Sequence, residues 1–306
     1  MSDNPNDINP FAKVVSSIAN RAGEPPIAPR KKKPVFEEEK KLKPKVKDET
    51  EQPKFPLGVS PVVNPDVRQE PMPVVEPETR TSIDQMADIE PLLDDVKTAN
   101  KLIYADMPQR EVFAAFCELR DRLILKVGNN NFIILVSSAC EHGGGSFVAI
   151  NLAIALAELP DKTALFIDCG FDRSFSSSLL QGGAEYGLLD YLSNSALGVE
   201  DIVYASGIAK LRVTPPGGGD AGLTVDSLQS SRLKSLFSDL KGKYKDRNIV
   251  IDAPSVADAL VVAPLVQVAD WTMLVVPQGR LEGDGVDTAI SVIGREKLAG
   301  VVFDDY

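Results

Sequence analysis

From Arg110 to Phe303 the chain alternates short apolar runs with amphipathic stretches, and this alternation restricts the fold more than any other feature of the sequence. Between Arg110 and Lys126, Phe113, Phe116, Leu119 and Leu123 recur at helical spacing, while Arg110, Arg120 and Arg122 take other faces. Phe132–Val136 follows as a continuous apolar run, the pattern of a parallel strand covered on both sides. A glycine-rich loop leads into a helix over Ser146–Glu158, then a strand over Thr163–Asp168 and a helical region over Leu188–Leu192. Next come a strand over Leu211–Thr214 and an amphipathic helix over Val225–Tyr244. Asn248–Asp252, Thr272–Val276 and Gly300–Phe303 read as three further strands with helices between them. Alternation sustained over about 170 residues predicts an α/β fold, doubly wound around a mostly parallel sheet.

The chain of 306 residues that holds this region is not uniform. Sixteen of the 22 prolines lie before Gln109, whereas 20 of the 22 glycines lie after it, so the chain divides into residues 1–108 and residues 109–306. The first part reads as a long disordered arm. Residues 24–80 carry a proline every few positions and almost no aromatic side chains, too little apolar surface to offset the entropy of ordering. Within the arm, Arg30–Lys47 holds nine basic and three acidic side chains. It is either a solvated spacer or a contact for anionic lipid, at about 1 kcal/mol per Lys or Arg near a charged surface. Asn9-Pro10 opens a stretch with Phe11, Val14, Val15 and Ile18 at i, i+3, i+4 and i+7, so residues 9–22 carry the stripe of a short amphipathic helix, marginal on its own and read either as a docking peptide or as a nascent helix without a role.

Charge and rare residues exclude several classes of function. Residues 109–306 carry 17 basic and 25 acidic side chains, a poor surface for nucleic acid, which needs cations to neutralise phosphates. Three cysteines and one histidine make neither a disulfide framework nor a conventional zinc site, which points to a reducing compartment. No apolar run approaches the ~18 residues of a membrane span, and the amino terminus lacks a signal-peptide pattern. The expected location is the cytoplasm.

The leading candidate site is the loop after the first strand, because doubly wound sheets bind ligands at the carboxyl ends of their strands. It reads Ser137-Ser138-Ala139-Cys140-Glu141-His142-Gly143-Gly144-Gly145-Ser146 and runs directly into a helix. Three glycines let backbone amides converge on one point, and the helix start adds a partial positive charge there. Gly143, Gly144, Gly145 and Ser146 are therefore candidate phosphate-binding residues. Asp168 and Asp252, each ending an apolar strand, are candidates with Ser146 for holding a magnesium ion; the alternative is that the acids cap the following segments. A P-loop ends Gly-Lys-Ser/Thr, with the lysine on the outer phosphates, and position 145 here is glycine.

These residues resemble a known pattern. Ser137 to Ala153 is similar to the stretch Ser-Ala-x-Pro-Gly-Glu-Gly-Lys-Ser-Thr-x-x-x-Asn-Leu-Ala of the bacterial tyrosine autokinases that regulate capsular and exopolysaccharide export, a family within the MinD/ParA-type P-loop ATPases. Glu118-Leu119-Arg120, Leu165–Asp168, Gly187–Leu192, Ser231–Leu236, Ile249–Pro254, Asp258-Ala259 and Ala269-Asp270 resemble further landmarks of the family, in the family's order. The resemblance implies a P-loop NTPase-like fold, ATP or ADP with magnesium as ligands, and an inner-membrane polysaccharide co-polymerase or export component as partner.

The departures alter what the resemblance implies. Aligned on Asn151-Leu152-Ala153, the family's lysine falls on Gly145, its first loop glycine on His142, and the threonine after its metal-binding serine on Phe147. Where the family has Asp-x-Asp-x-Arg, this chain keeps Asp168 but has Gly170 and Asp172. The family's Glu-x-x-Arg-x-x-Arg ring-assembly motif falls on Ala114, Cys117 and Arg120, so self-association of that kind is not expected. In place of a tyrosine-rich tail the sequence ends Phe303-Asp304-Asp305-Tyr306. Loss of a charged donor at a developing charge lowers rates roughly 10²–10³-fold. The resulting expectation is a non-catalytic or weakly active regulator of polysaccharide export, with nucleotide bound weakly or not at all. An active autokinase or ATPase using an atypical loop, and a MinD/ParA-like positioning factor, are the alternatives.

Overall fold

Seven strands form one sheet in the order β3-β4-β2-β5-β1-β6-β7. They are β1 Ile133–Ser138, β2 Thr163–Asp168, β3 Tyr204–Ala205, β4 Leu211–Thr214, β5 Arg247–Asp252, β6 Trp271–Pro277 and β7 Leu298–Asp304. All pairings are parallel except that of β3 with β4, which is antiparallel at the edge. In the computed structural model residues 90–171, 174–180, 183–218, 225–280 and 285–304 are described, and all of them belong to one compact unit. The arm up to residue 89, the docking helix over 9–22, the basic block 30–47, Asp172 and Tyr306 lie outside the described residues.

The helices are α1 Asp94–Ala99, α2 Arg110–Val127, α3 Gly145–Ala157, α4 Leu188–Ser193, α5 Val225–Leu228, α6 Ser231–Lys243, α7 Ala259–Val268 and α8 Gly285–Ile293. Because side chains alternate along a strand, each strand feeds two cores. Ile134, Val136, Phe166, Val213, Val250 and Val275 pack beneath α3 and α2, whereas Ile133, Leu135, Leu165, Ile167, Ile249 and Ile251 pack against α4, α6 and α7. Helix α3 is buried on nearly every side, since the sheet covers one flank and α2 and the segment before it cover the other. That explains why Gly145–Ala157 is apolar all round rather than striped.

Two boundaries differ from the sequence reading. Residues 90–108, assigned above to the arm, are packed on the domain. Leu92, Leu102, Ile103 and Met107 are all buried. Buried Asn151 on α3 straps this lead-in segment down: its Oδ1 accepts from the Ile103 amide at 2.8 Å, and its Nδ2 donates to the Lys101 carbonyl at 3.1 Å. The packed part thus begins at least as early as Glu90, because α3 has an apolar outer flank that needs a cover. The helix expected over Val225–Tyr244 is two helices, broken where Ser230 takes an extended conformation and its side chain accepts from the Leu233 amide, capping α6.

Candidate functional site

β1, β2 and β5 are adjacent and parallel, so Ser138, Asp168 and Asp252 end on the same edge of the sheet. The register pairs Asp168 with Asp252 and Asp252 with Val136. Both acids share the pleat phase of Phe166 and Val250, and therefore lie on the face that α3 covers.

The loop from β1 to α3 is held from several directions. Ser137 Oγ donates to the Pro254 carbonyl at 2.5 Å, Ser138 Oγ donates to the Cys140 carbonyl at 2.7 Å, and the Ala139 amide donates to the Val275 carbonyl at 2.8 Å. His142 and Gly144 have left-handed backbones, with φ of 55° and 81°. His142 is exposed, as a solvated loop residue would be. A Cβ on Gly143 would come within 2.9 Å of the Cys140 carbonyl oxygen, so side chains are excluded there. No side chain caps α3, which begins at Gly145. Its first amides are donors suited to an anion.

Ser146, in the first turn of α3, places its hydroxyl beside the carboxylate of Asp252. That carboxylate is 1% exposed, and neither oxygen reaches good hydrogen-bond geometry. Burial pushes its pKa well above the ordinary carboxylate value, the charge of Asp168 pushes the same way, and the Ser146 hydroxyl opposes them. Asp168 is committed differently. Its oxygens accept from the amides of Gly170 and Ser176, both at 2.8 Å, and from Ser174 Oγ at 3.0 Å. It anchors the loop after β2, the capping alternative raised by the sequence. Burial, with the charges of Asp168 and Asp252, raises the thiol pKa of Cys169 well above its usual value, so this cysteine is a core filler.

An under-satisfied buried carboxylate facing a serine hydroxyl at a helix start fits a magnesium ion held partly through water, with Ser146 and Asp252 as its holders. Among the described residues no three His, Cys, Asp or Glu side chains are grouped to hold a metal directly. The loop leaves uncapped backbone amides at the start of α3, and Gly145, not a lysine, stands at the first helical position.

Two residues near the loop escaped the sequence reading. Arg280, in the turn after β6, donates from Nη1 to the His142 carbonyl at 3.0 Å. Asp304, at the end of β7, is buried with its carboxylate against Gly144. The signal for both is topological: β6 and β7 lie beside β1, so their carboxyl-terminal turns flank the glycine loop. The Arg120 side chain at the degenerate assembly motif is turned inward, donating to the Ala155 carbonyl at 3.0 Å and pairing with Asp121 at 2.8 Å.

The parallel sheet, its strand-end loop and the uncapped helix behind it define a protein of the P-loop NTPase-like class. No family model matches the chain. The tyrosine-protein kinase CpsD of Streptococcus agalactiae is 29% identical over 180 residues, which span 58% of this chain and 76% of that protein. Among solved structures, the kinase domain of the Escherichia coli tyrosine kinase ETK superposes with a TM-score of 0.60 at 20% identity, over 72% of this chain and 82% of that one. The VpsO kinase domain superposes with a TM-score of 0.55 at 23% identity, over 67% of this chain and all of that one. The structures show the shared fold, and in sequence the chain is similar to the tyrosine-protein kinase CpsD.

Proposed function

We propose that this protein is a non-catalytic or weakly active relative of the bacterial tyrosine kinases, serving as an accessory or regulator of exopolysaccharide biosynthesis and export. In this reading it works in the cytoplasm, recruited to the inner membrane by a polysaccharide co-polymerase or export component. Among the described residues no helix is long and apolar enough to cross a membrane. One observation carries the reading: Gly145 occupies the first position of α3, while Ser146 and Asp252 behind it still face each other. The geometry suits a weakly held nucleotide with magnesium and lacks the cation that reaches the outer phosphates in a P-loop. Magnesium, when bound, supplies charge neutralisation between phosphates. The chain's own part is to orient phosphate through the amides of Gly143–Ser146.

The Arg280 contact favours a second reading, an active autokinase or ATPase in which a guanidinium beside the loop replaces the lysine. Equilibrium titration of the full chain with ATP and ADP, with and without magnesium, and a sensitive phosphate-release assay separate the two. Weak binding without turnover supports the first. Turnover that vanishes in Asp252→Ala overturns it and supports the second.

A further inference from the structure

At the opposite edge of the sheet, two arginines share a face without an acid between them. Arg212 is the second residue of β4 and Arg247 the first of β5. Arg212 pairs with Leu165 and Arg247 with Thr163 on β2, the strand between them, so both point to the side occupied by Leu165 and Ile249. They lie at the amino ends of the strands, away from the glycine loop. Arg247 is 7% exposed and its Nε is buried without a hydrogen-bond partner; Nη1 of half-buried Arg212 is in the same condition. The Arg247 guanidinium stacks 3.9 Å from the centroid of the Tyr244 ring, and Lys243 Nζ stands 5.4 Å from the same centroid.

An arginine cannot shed its proton to escape burial. Burial lowers the pKa of both side chains, and Arg247 is affected further by Arg212, against partial compensation from Tyr244 and Asp246. Neither guanidinium forms an ion pair with a carboxylate among the described residues. The surroundings add more positive charge. Lys241-Gly242-Lys243-Tyr244-Lys245-Asp246-Arg247 has four cations and one acid, in a region of the chain where acids prevail. Lys241 is engaged with Asp270 at 2.6 Å, and Lys243 and Lys245 remain exposed at the rim.

We propose that Arg212 and Arg247, with Lys243 at the rim and Tyr244 as a stacking wall, form a binding site for a phosphate-type oxyanion at the amino-terminal edge of the sheet. The planar fork of a guanidinium matches such an anion, and two forks with unused buried donors supply the complementary charge. The anion is either free phosphate or the phosphate of a lipid headgroup. This site is independent of the glycine loop.

The full chain is titrated with inorganic phosphate at constant ionic strength, against chloride, while the thermal midpoint is followed. The midpoint is expected to rise for the native protein and for Ser146→Ala. Arg212→Gln, at a half-buried position that tolerates the change, should weaken phosphate affinity at least tenfold, as should Arg247→Gln if it folds; Lys243→Gln gives a smaller loss. Cosedimentation with phosphatidylcholine vesicles, with and without phosphatidylglycerol, identifies the source. Binding to anionic vesicles that falls in Arg212→Gln assigns the lipid, and phosphate binding without that fall assigns the free ion. The basic arm is common to all variants and cancels. Phosphate stabilisation equal in native and Arg212→Gln protein, or no response to phosphate or to anionic vesicles, overturns the proposal.

Discussion

The carboxylate of Asp304, the last residue of β7, lies against Gly144 in the glycine loop so closely that a Cβ on Gly144 would overlap Oδ2. The far end of the sheet thus helps to set the loop's shape, through a glycine that also has a left-handed backbone. Gly144→Ala is expected to lower stability by about 1–3 kcal/mol from backbone strain alone, and by more from the overlap. Asp304→Ala should relieve only the overlap, so a urea double-mutant cycle should show coupling between the two positions.

Asp252 imposes a pH dependence with a definite sign. Its folded pKa is raised above its unfolded value, so between the two the folded chain holds a proton that the unfolded chain has released. Stability from this group is therefore full below the unfolded pKa and is lost as pH rises through the folded pKa. Asp252→Asn should gain on the native protein as pH increases, and denaturant midpoints measured from pH 4 to 8 give the difference. Magnesium, which favours the ionised carboxylate, should narrow that difference at the upper end.

Restoring the missing cation tests the loop directly. A Cβ at position 145 would meet the Ser138 amide nitrogen at 3.2 Å, tight but without a left-handed backbone to oppose it. Gly145→Lys is expected to strengthen ATP binding by about 1.5–3 kcal/mol, the contribution of a charged hydrogen bond. Autophosphorylation should still be absent, because Gly170 replaces the second acid of the family pattern. Calorimetric titration measures the first effect and phosphotyrosine detection the second.

Arg280→Ala separates a cation that serves the nucleotide from one that only braces the loop. If the guanidinium acts on phosphate, ATP affinity should fall about tenfold, or roughly 1.4 kcal/mol, with ADP less affected. A purely structural contact to the His142 carbonyl predicts equal, small changes for both nucleotides, read in the same titration.

Asn151→Ala should cost about 2–3 kcal/mol, since it leaves the buried Ile103 amide without its acceptor and removes donors to Lys101 and Phe147. Hydrogen exchange should rise first over residues 100–107, the lead-in that Asn151 holds to α3.

Local pattern alone made much of this protein legible. Apolar runs such as Phe132–Val136 and Thr163–Asp168 declare buried strands, and glycines between a strand and a helix declare the loop, because neighbours along the chain decide those conformations. β3 was not legible: two residues at a sheet edge carry no pattern. The break at Ser230 was hidden because Leu228 and Leu233 continue an apolar series across it. Leu92, Leu102, Ile103 and Met107 follow no single periodicity, and only the uncovered flank of α3 explains their burial. The site divides in the same way. Gly143–Ser146 could be read from spacing, whereas the meeting of Asp252 with Ser146, the diversion of Asp168 into its own loop, and the approach of Arg280 and Asp304 depend on β5 lying between β1 and β2 and on β6 and β7 following β1. Strand order is set by which apolar faces bury together across the whole domain, a choice made between residues distant in sequence.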